Sequence, residues 1–199
     1  MRTFWWLFGG AVLAVIVAAG TVVLYIRTTG LDSRAESGSV ETRLARLARG
    51  LAVPADVKSM RNPVSLAPDV LAEGLAHFAD HCAACHGDDG TGNTEMGRGL
   101  YPKAPDMRQT ATQSLTDGEL FYVIEHGIRF TGMPAWRTGT GSGEEASWQL
   151  VHVIRHLPKL TDAERERMKA FIPRSPEEVR HEIEEERFLN GEETPEGPR

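Results

Sequence analysis

Apolar residues are distributed in very different ways along this 199-residue chain. From Phe4 to Ile26, 23 residues pass without a charge, bounded by Arg2 and Arg27. As a helix, that run is about 34 Å long, enough to cross the hydrocarbon core of a bilayer. It has no polar face that would suit it to a soluble core. Trp5, Trp6 and Tyr25 stand near its ends, where amphipathic rings favour the headgroup region. A cleaved secretory leader would have a shorter apolar stretch; Val17-Ala18-Ala19 could pass for its cut site, but the run continues to Tyr25. An uncleaved single-pass anchor over residues 1–27 is the expectation.

Residues 28–67 begin small and polar and end with Asn62-Pro63 and Ala67-Pro68, the composition of a tether. Inside it Leu44, Leu47 and Leu51 recur at helical spacing, with Arg43, Arg46 and Arg49 beside them. This predicts a short amphipathic helix, either solvated or resting on anionic headgroups or a partner subunit. Pro68 suits a first helical turn. Val70, Leu71, Leu75 and Phe78 then form an apolar stripe leading to Cys82. From Gly87 to about Pro105 the chain is Gly-rich and aperiodic, as a backbone wrapped around a bulky group would be.

A capping box, Thr116 with Glu119, predicts the next helix, carrying Leu120, Phe121, Val123 and Ile124 and stopping at Gly127. Another is predicted over about 144–156, with Trp148, Leu150, Val151 and Ile154 as apolar positions and Pro158 as its stop. Residues 162–171 and 176–189 read as two further helices, followed by a disordered tail after Asn190. No useful length of strand-like alternation occurs. The class is all-α with long loops: a central domain over 68–160 and an acidic extension over 161–199.

Charge is uneven. Residues 1–68 hold eight Lys/Arg against four Asp/Glu (+4), while 69–160 and 161–199 each hold seven against twelve (−5 each). An acidic domain argues against nucleic-acid binding, which needs clustered cations. Partners with basic docking patches are favoured, and the run Glu182, Glu184, Glu185, Glu186 is either a solvated face or a surface for such a partner. Three short helices over roughly 90 residues bury little apolar surface, and a domain of that kind usually needs a staple or cofactor.

Only two cysteines exist, both in Cys82-Ala83-Ala84-Cys85-His86, which excludes a disulfide scaffold. Two thiols at this spacing can each bond one haem vinyl group while the adjacent His86 reaches the iron. A zinc site would want a second ligand pair, for which His152 and His156 have suitable spacing; those two are expected at the surface or in the core. A thioredoxin-like dithiol is the remaining alternative. Met133, in Thr131-Gly132-Met133-Pro134-Ala135-Trp136, sits in a loop whose Gly and Pro suit a methionine held in place, and is the candidate second iron ligand. Met96 and Met107 are expected to line the pocket or stand exposed, and Met168 to be structural.

From about Pro68 to Leu160 the chain resembles the monohaem class I c-type cytochromes of bacteria. The resemblance rests on Gly74 and Phe78 ahead of Cys82-Ala83-Ala84-Cys85-His86-Gly87, a Pro-containing loop, an aromatic-rich helix, Gly132-Met133-Pro134-Ala135-Trp136 and a closing helix. It covers about half the chain. It implies a three-helix core around one covalent haem c, with Cys82 and Cys85 as thioether attachments, His86 proximal and Met133 distal. It further implies a proline carbonyl orienting His86, for which Pro105 is the candidate with Pro102 behind it. Where many members place a closing-helix aromatic near Gly74, this chain has Val153, with Trp148 one turn earlier as possible compensation. Trp136 and Arg129 are candidates for contact with the haem propionates or simply for loop packing.

The expected function is a membrane-anchored one-electron carrier with unidentified redox protein partners. Haem attachment outside the cytoplasm would put the N-terminus inside and residues 27–199 on the periplasmic side. The alternatives are a haem subunit of a larger membrane oxidoreductase complex, and a haem enzyme or gas sensor with an exchangeable sixth ligand.

Overall fold

The computed structural model describes residues 2–174 and 176–190, and every regular element among them is helical. Helix α1 (Arg2–Thr29) is followed by α2 (Ser39–Ala52) and the one-turn α3 (Ala55–Lys58). Helix α4 (Pro68–His77) runs through a π-turn (Phe78–Cys82) into α5 (Ala83–His86). Then come α6 (Glu95–Gly99), α7 (Thr110–Gln113), α8 (Asp117–His126), α9 (Gly141–His156), α10 (Asp162–Met168) and α11 (Pro176–Leu189). Among the described residues, α1 alone is long and apolar enough to cross a membrane, and none of its apolar window is buried against the protein.

The core forms where α9 packs on both α4 and α8. Leu75 and Phe78, Leu120 and Ile124, and Trp148, Leu150, Val151, Val153 and Ile154 are all buried there. Helix α4 comes close to α9 because Gly74 has no side chain: a Cβ there would lie 2.8 Å from Val153 Cγ2 and 3.2 Å from the Gln149 carbonyl. Val153 therefore occupies the position expected for it. Trp148 does not substitute beside Gly74; it stacks on Phe121 at 4.1 Å and 8°, bracing α8 against α9. The buried Glu125 accepts the Ser147 hydroxyl at 2.6 Å across the same interface.

The helix starts follow their caps. Thr116 and Glu119 form the expected box, as do Thr161 and Glu164. Helix α9 begins at Gly141, earlier than its apolar pattern indicated, because the Thr140 hydroxyl accepts from Gly143 N at 3.2 Å. Its first turn, Gly141-Ser142-Gly143, carries no apolar residue to signal it. The aperiodic stretch 87–105 likewise contains α6, capped by Thr94.

Residues expected to form a free tether lie against the central domain. Gly118 of α8 faces the Val57 carbonyl so closely that no Cβ would fit. Asn62 Nδ2 donates to the Trp148 carbonyl at 2.8 Å, and His152 Nε2 lies 2.7 Å from the Val64 carbonyl. At the other end, Arg165 of α10 holds Asp88 through two contacts of 2.8 Å, and His156 meets Glu164 at 3.0 Å. His152 and His156 thus serve separate partners. Met168 is buried in the core as expected. The tail expected to be disordered from residue 191 lies outside the described residues.

Candidate haem site

The unbroken backbone from α4 to α5 carries the cysteine motif. Its π-turn inserts an extra residue into the helical ladder just before Cys82, a device common at functional sites. Gly87, at φ +77°, then ends the helix, with its N–H bonded to the Ala83 carbonyl at 2.8 Å. The following loop folds back on this turn. Gly92 N donates to the His86 carbonyl at 2.7 Å, and the Thr94 hydroxyl donates to the Ala84 carbonyl at 2.8 Å. Gly92 approaches Ala104 and Pro105, and Gly97 approaches Cys85, so closely that neither could carry a Cβ. Pro105 is thereby held beside His86.

Burial lowers the proton affinity of the His86 ring, and the Pro105 backbone opposes that shift. His86 Nδ1 is buried and has no partner within strict hydrogen-bond geometry. Cys82 and Cys85 are free thiols. Burial, with the neighbouring Cys85 second, pushes Cys82 up to about 12, and burial also raises Cys85.

Met133 is held by its own loop. Thr131 donates its hydroxyl to the Ile128 carbonyl at 2.8 Å and accepts from Met133 N at 3.1 Å. Ile128 N donates to the Met133 carbonyl at 3.1 Å, and Trp136 N to the Ile124 carbonyl at 3.1 Å. Gly127, at φ +64°, lies against the Met133–Ala135 backbone where a Cβ would collide. The methionine loop is thus fastened to the end of α8.

One cavity of about 500 Å³ is lined by Cys82, Cys85, His86, Pro105, Met133 and Trp136 together. Two thiols, an imidazole and a thioether from distant parts of the sequence share one space. Trp136 meets the His81 ring at 5.3 Å, and Leu100 and Ile128 add apolar wall. Among the described residues no three His, Cys, Asp or Glu side chains are grouped to hold a bare metal ion.

The remaining candidates lie outside the cavity lining. Arg129 is exposed and does not line the cavity, because it sits at the outward tip of the loop that Thr131 closes. Met107 belongs to the hydrophobic core and lines no part of the cavity; its N–H is bonded to the Gly90 carbonyl at 2.9 Å, which turns it inward. Met96 is exposed. Sequence reasoning missed the contribution of α2, whose Glu41, Thr42, Ala45, Arg46 and Arg49 line the same cavity. The arginines at every third position were the available signal.

Residues 69–153 match the family model described as cytochrome c oxidase, cbb3-type, subunit III. The chain is 39% identical over 72 residues to the cbb3-type cytochrome c oxidase subunit CcoP of Cereibacter sphaeroides, a match covering 33% of this chain and 20% of the relative. It is 35% identical over 74 residues to the cbb3-type cytochrome c oxidase subunit FixP of Rhizobium meliloti, covering 35% of this chain and 22% of the relative. The chain thus spans about a fifth of the length of these curated relatives.

Proposed function

We propose that the protein is a membrane-anchored one-electron carrier holding a single covalent haem c; the family match over residues 69–153 and the apolar length of α1 support this reading. Cys82 and Cys85 provide the thioether bonds, and His86 and Met133 the two axial ligands. The observation that carries this reading is the shared cavity, in which all four donors meet. The haem supplies one-electron cycling of its iron.

The chain's own residues do the rest. Pro105 restrains the His86 ring, the Thr131 and Gly127 contacts restrain Met133, and Leu100, Ile128 and Trp136 keep water from the centre. Haem c attachment occurs outside the cytoplasm, which favours the periplasmic side of the cytoplasmic membrane for residues 27–199. The names of the relatives favour a role inside a larger membrane oxidoreductase complex, with redox proteins as donor and acceptor.

Optical spectroscopy of the full chain in detergent tests the reading. The expected result is a c-type haem spectrum, a thioether-to-iron band in the oxidised state that disappears in Met133→Ala, and no carbon monoxide binding by the unmodified chain. Ready carbon monoxide binding would overturn the closed centre in favour of a catalytic or sensing haem.

A further inference from the structure

Helix α2 lies outside the matched domain, yet one of its faces forms a wall of the cavity that holds His86 and Met133. That face carries Arg46 and Arg49, one helical turn apart. Among the described residues neither guanidinium makes a hydrogen bond or an ion pair. Arg46 is exposed and Arg49 half-buried; burial lowers the proton affinity of Arg49, the Glu119 charge opposes that shift, and the like charge of Arg46 adds to it.

The nearby acids hydrogen-bond elsewhere, and Glu119 reaches Arg49 through its charge alone. Glu41 accepts from the Tyr101 hydroxyl, Glu36 pairs with Lys103, and Glu119 accepts from Thr116 N at 2.8 Å in the α8 cap. Two adjacent guanidinium groups at the wall of one cavity, with no hydrogen-bonded partner on either, offer that space a cationic edge suited to an anion. The guanidinium fork matches a carboxylate. A haem carries two carboxylates at its edge.

Resting on the haem reading above, we propose that α2 is part of the haem site and that Arg46 and Arg49 pair with the haem carboxylates. The tether thereby closes one edge of the haem pocket. Tyr101–Glu41 and Lys103–Glu36 latch it in place. Electron exchange with a partner then uses a part of the surface that α2 does not cover.

Removing these positive charges from the haem edge favours the oxidised, more positive iron. Spectroelectrochemical titration of the full chain in detergent reads this directly. In Arg46→Gln/Arg49→Gln the reduction equilibrium is expected to fall roughly tenfold, a midpoint about 59 mV lower for one electron. Arg46→Lys/Arg49→Lys should recover most of the shift. Arg43→Gln, at a position of α2 that does not line the cavity, should leave the midpoint unchanged. If the double glutamine variant attaches no haem, Arg49→Gln alone is expected to move in the same direction. An unmoved midpoint in a variant with a normal haem spectrum, or an equal shift in Arg43→Gln, would overturn the proposal. An unmodified chain without a haem c spectrum would instead overturn the function proposed above.

Discussion

Helices α2 and α9 carry the same kind of apolar periodicity and put it to opposite use. In α9, Trp148, Val151 and Ile154 turn into the core and are at most 7% exposed. In α2, Val40, Leu44, Leu47 and Leu51 follow an equally regular row and are each at least 60% exposed, while Thr42, Ala45, Arg46 and Arg49 line the cavity. Periodicity identifies a common face, but what that face meets depends on the surface it is offered. Helix α9 is offered the groove beside Gly74 and the Phe121 ring. Helix α2 is offered a cavity mouth with Tyr101 and Lys103 at its rim, which selects polar partners.

The largest effect should come from the buried side of this contrast. Trp148→Ala removes the stacked ring between α8 and α9 and is expected to cost about 3–5 kcal/mol, read from denaturant unfolding of the full chain in detergent. A loss below about 1 kcal/mol would mean that α9 is not the central packing helix.

A smaller effect is expected where α10 clips onto the end of α9. Burial pushes Glu164 up, but hydrogen bonds from Thr161 N, the Thr161 hydroxyl and His156 outweigh it and bring it to about 2, from an ordinary 4.5. A carboxylate depressed in the folded state stabilises above its unfolded value and loses that contribution as pH falls through the folded one. Thermal midpoints measured down a pH series should therefore decline between about 4.5 and about 2, and Glu164→Gln should flatten that decline. An unchanged acid limb in the variant would remove Glu164 from the account.

The smallest effect belongs to α2. Leu44→Ser and Leu47→Ser are expected to change stability in detergent by no more than about 0.5 kcal/mol, the usual range for exposed positions. Losses of core size would show that this row is covered within the protein.

The local signals were dependable wherever local chemistry decided the outcome. The Thr116/Glu119 box started α8 where expected, and Gly127 ended it, because a cap satisfies backbone groups within one turn. The cysteine motif placed two thiols and an imidazole on one turn through spacing alone. Other features left less trace. Helix α6 and the first turn of α9 rest on threonine caps over Gly-rich sequence with no apolar rhythm. Arg129 and Trp136 looked equivalent as candidates, but backbone bonds from Thr131 and Trp136 turn one residue outward and the other into the cavity.

What the sequence determined by itself was the composition of the centre and its carrier: an uncharged run of membrane-spanning length, a Cys-x-x-Cys-His turn, and a methionine between Gly and Pro. These depend on covalent spacing and on solvent preference, both properties of short stretches. Only the tertiary structure decided that Met133 and His86 line one cavity, that Met107 belongs to the core, and that α2 lends Arg46 and Arg49 to the cavity wall. Each of those outcomes depends on contacts between residues tens of positions apart. The free energy there is set by which surfaces remain to be covered, and no local pattern encodes that.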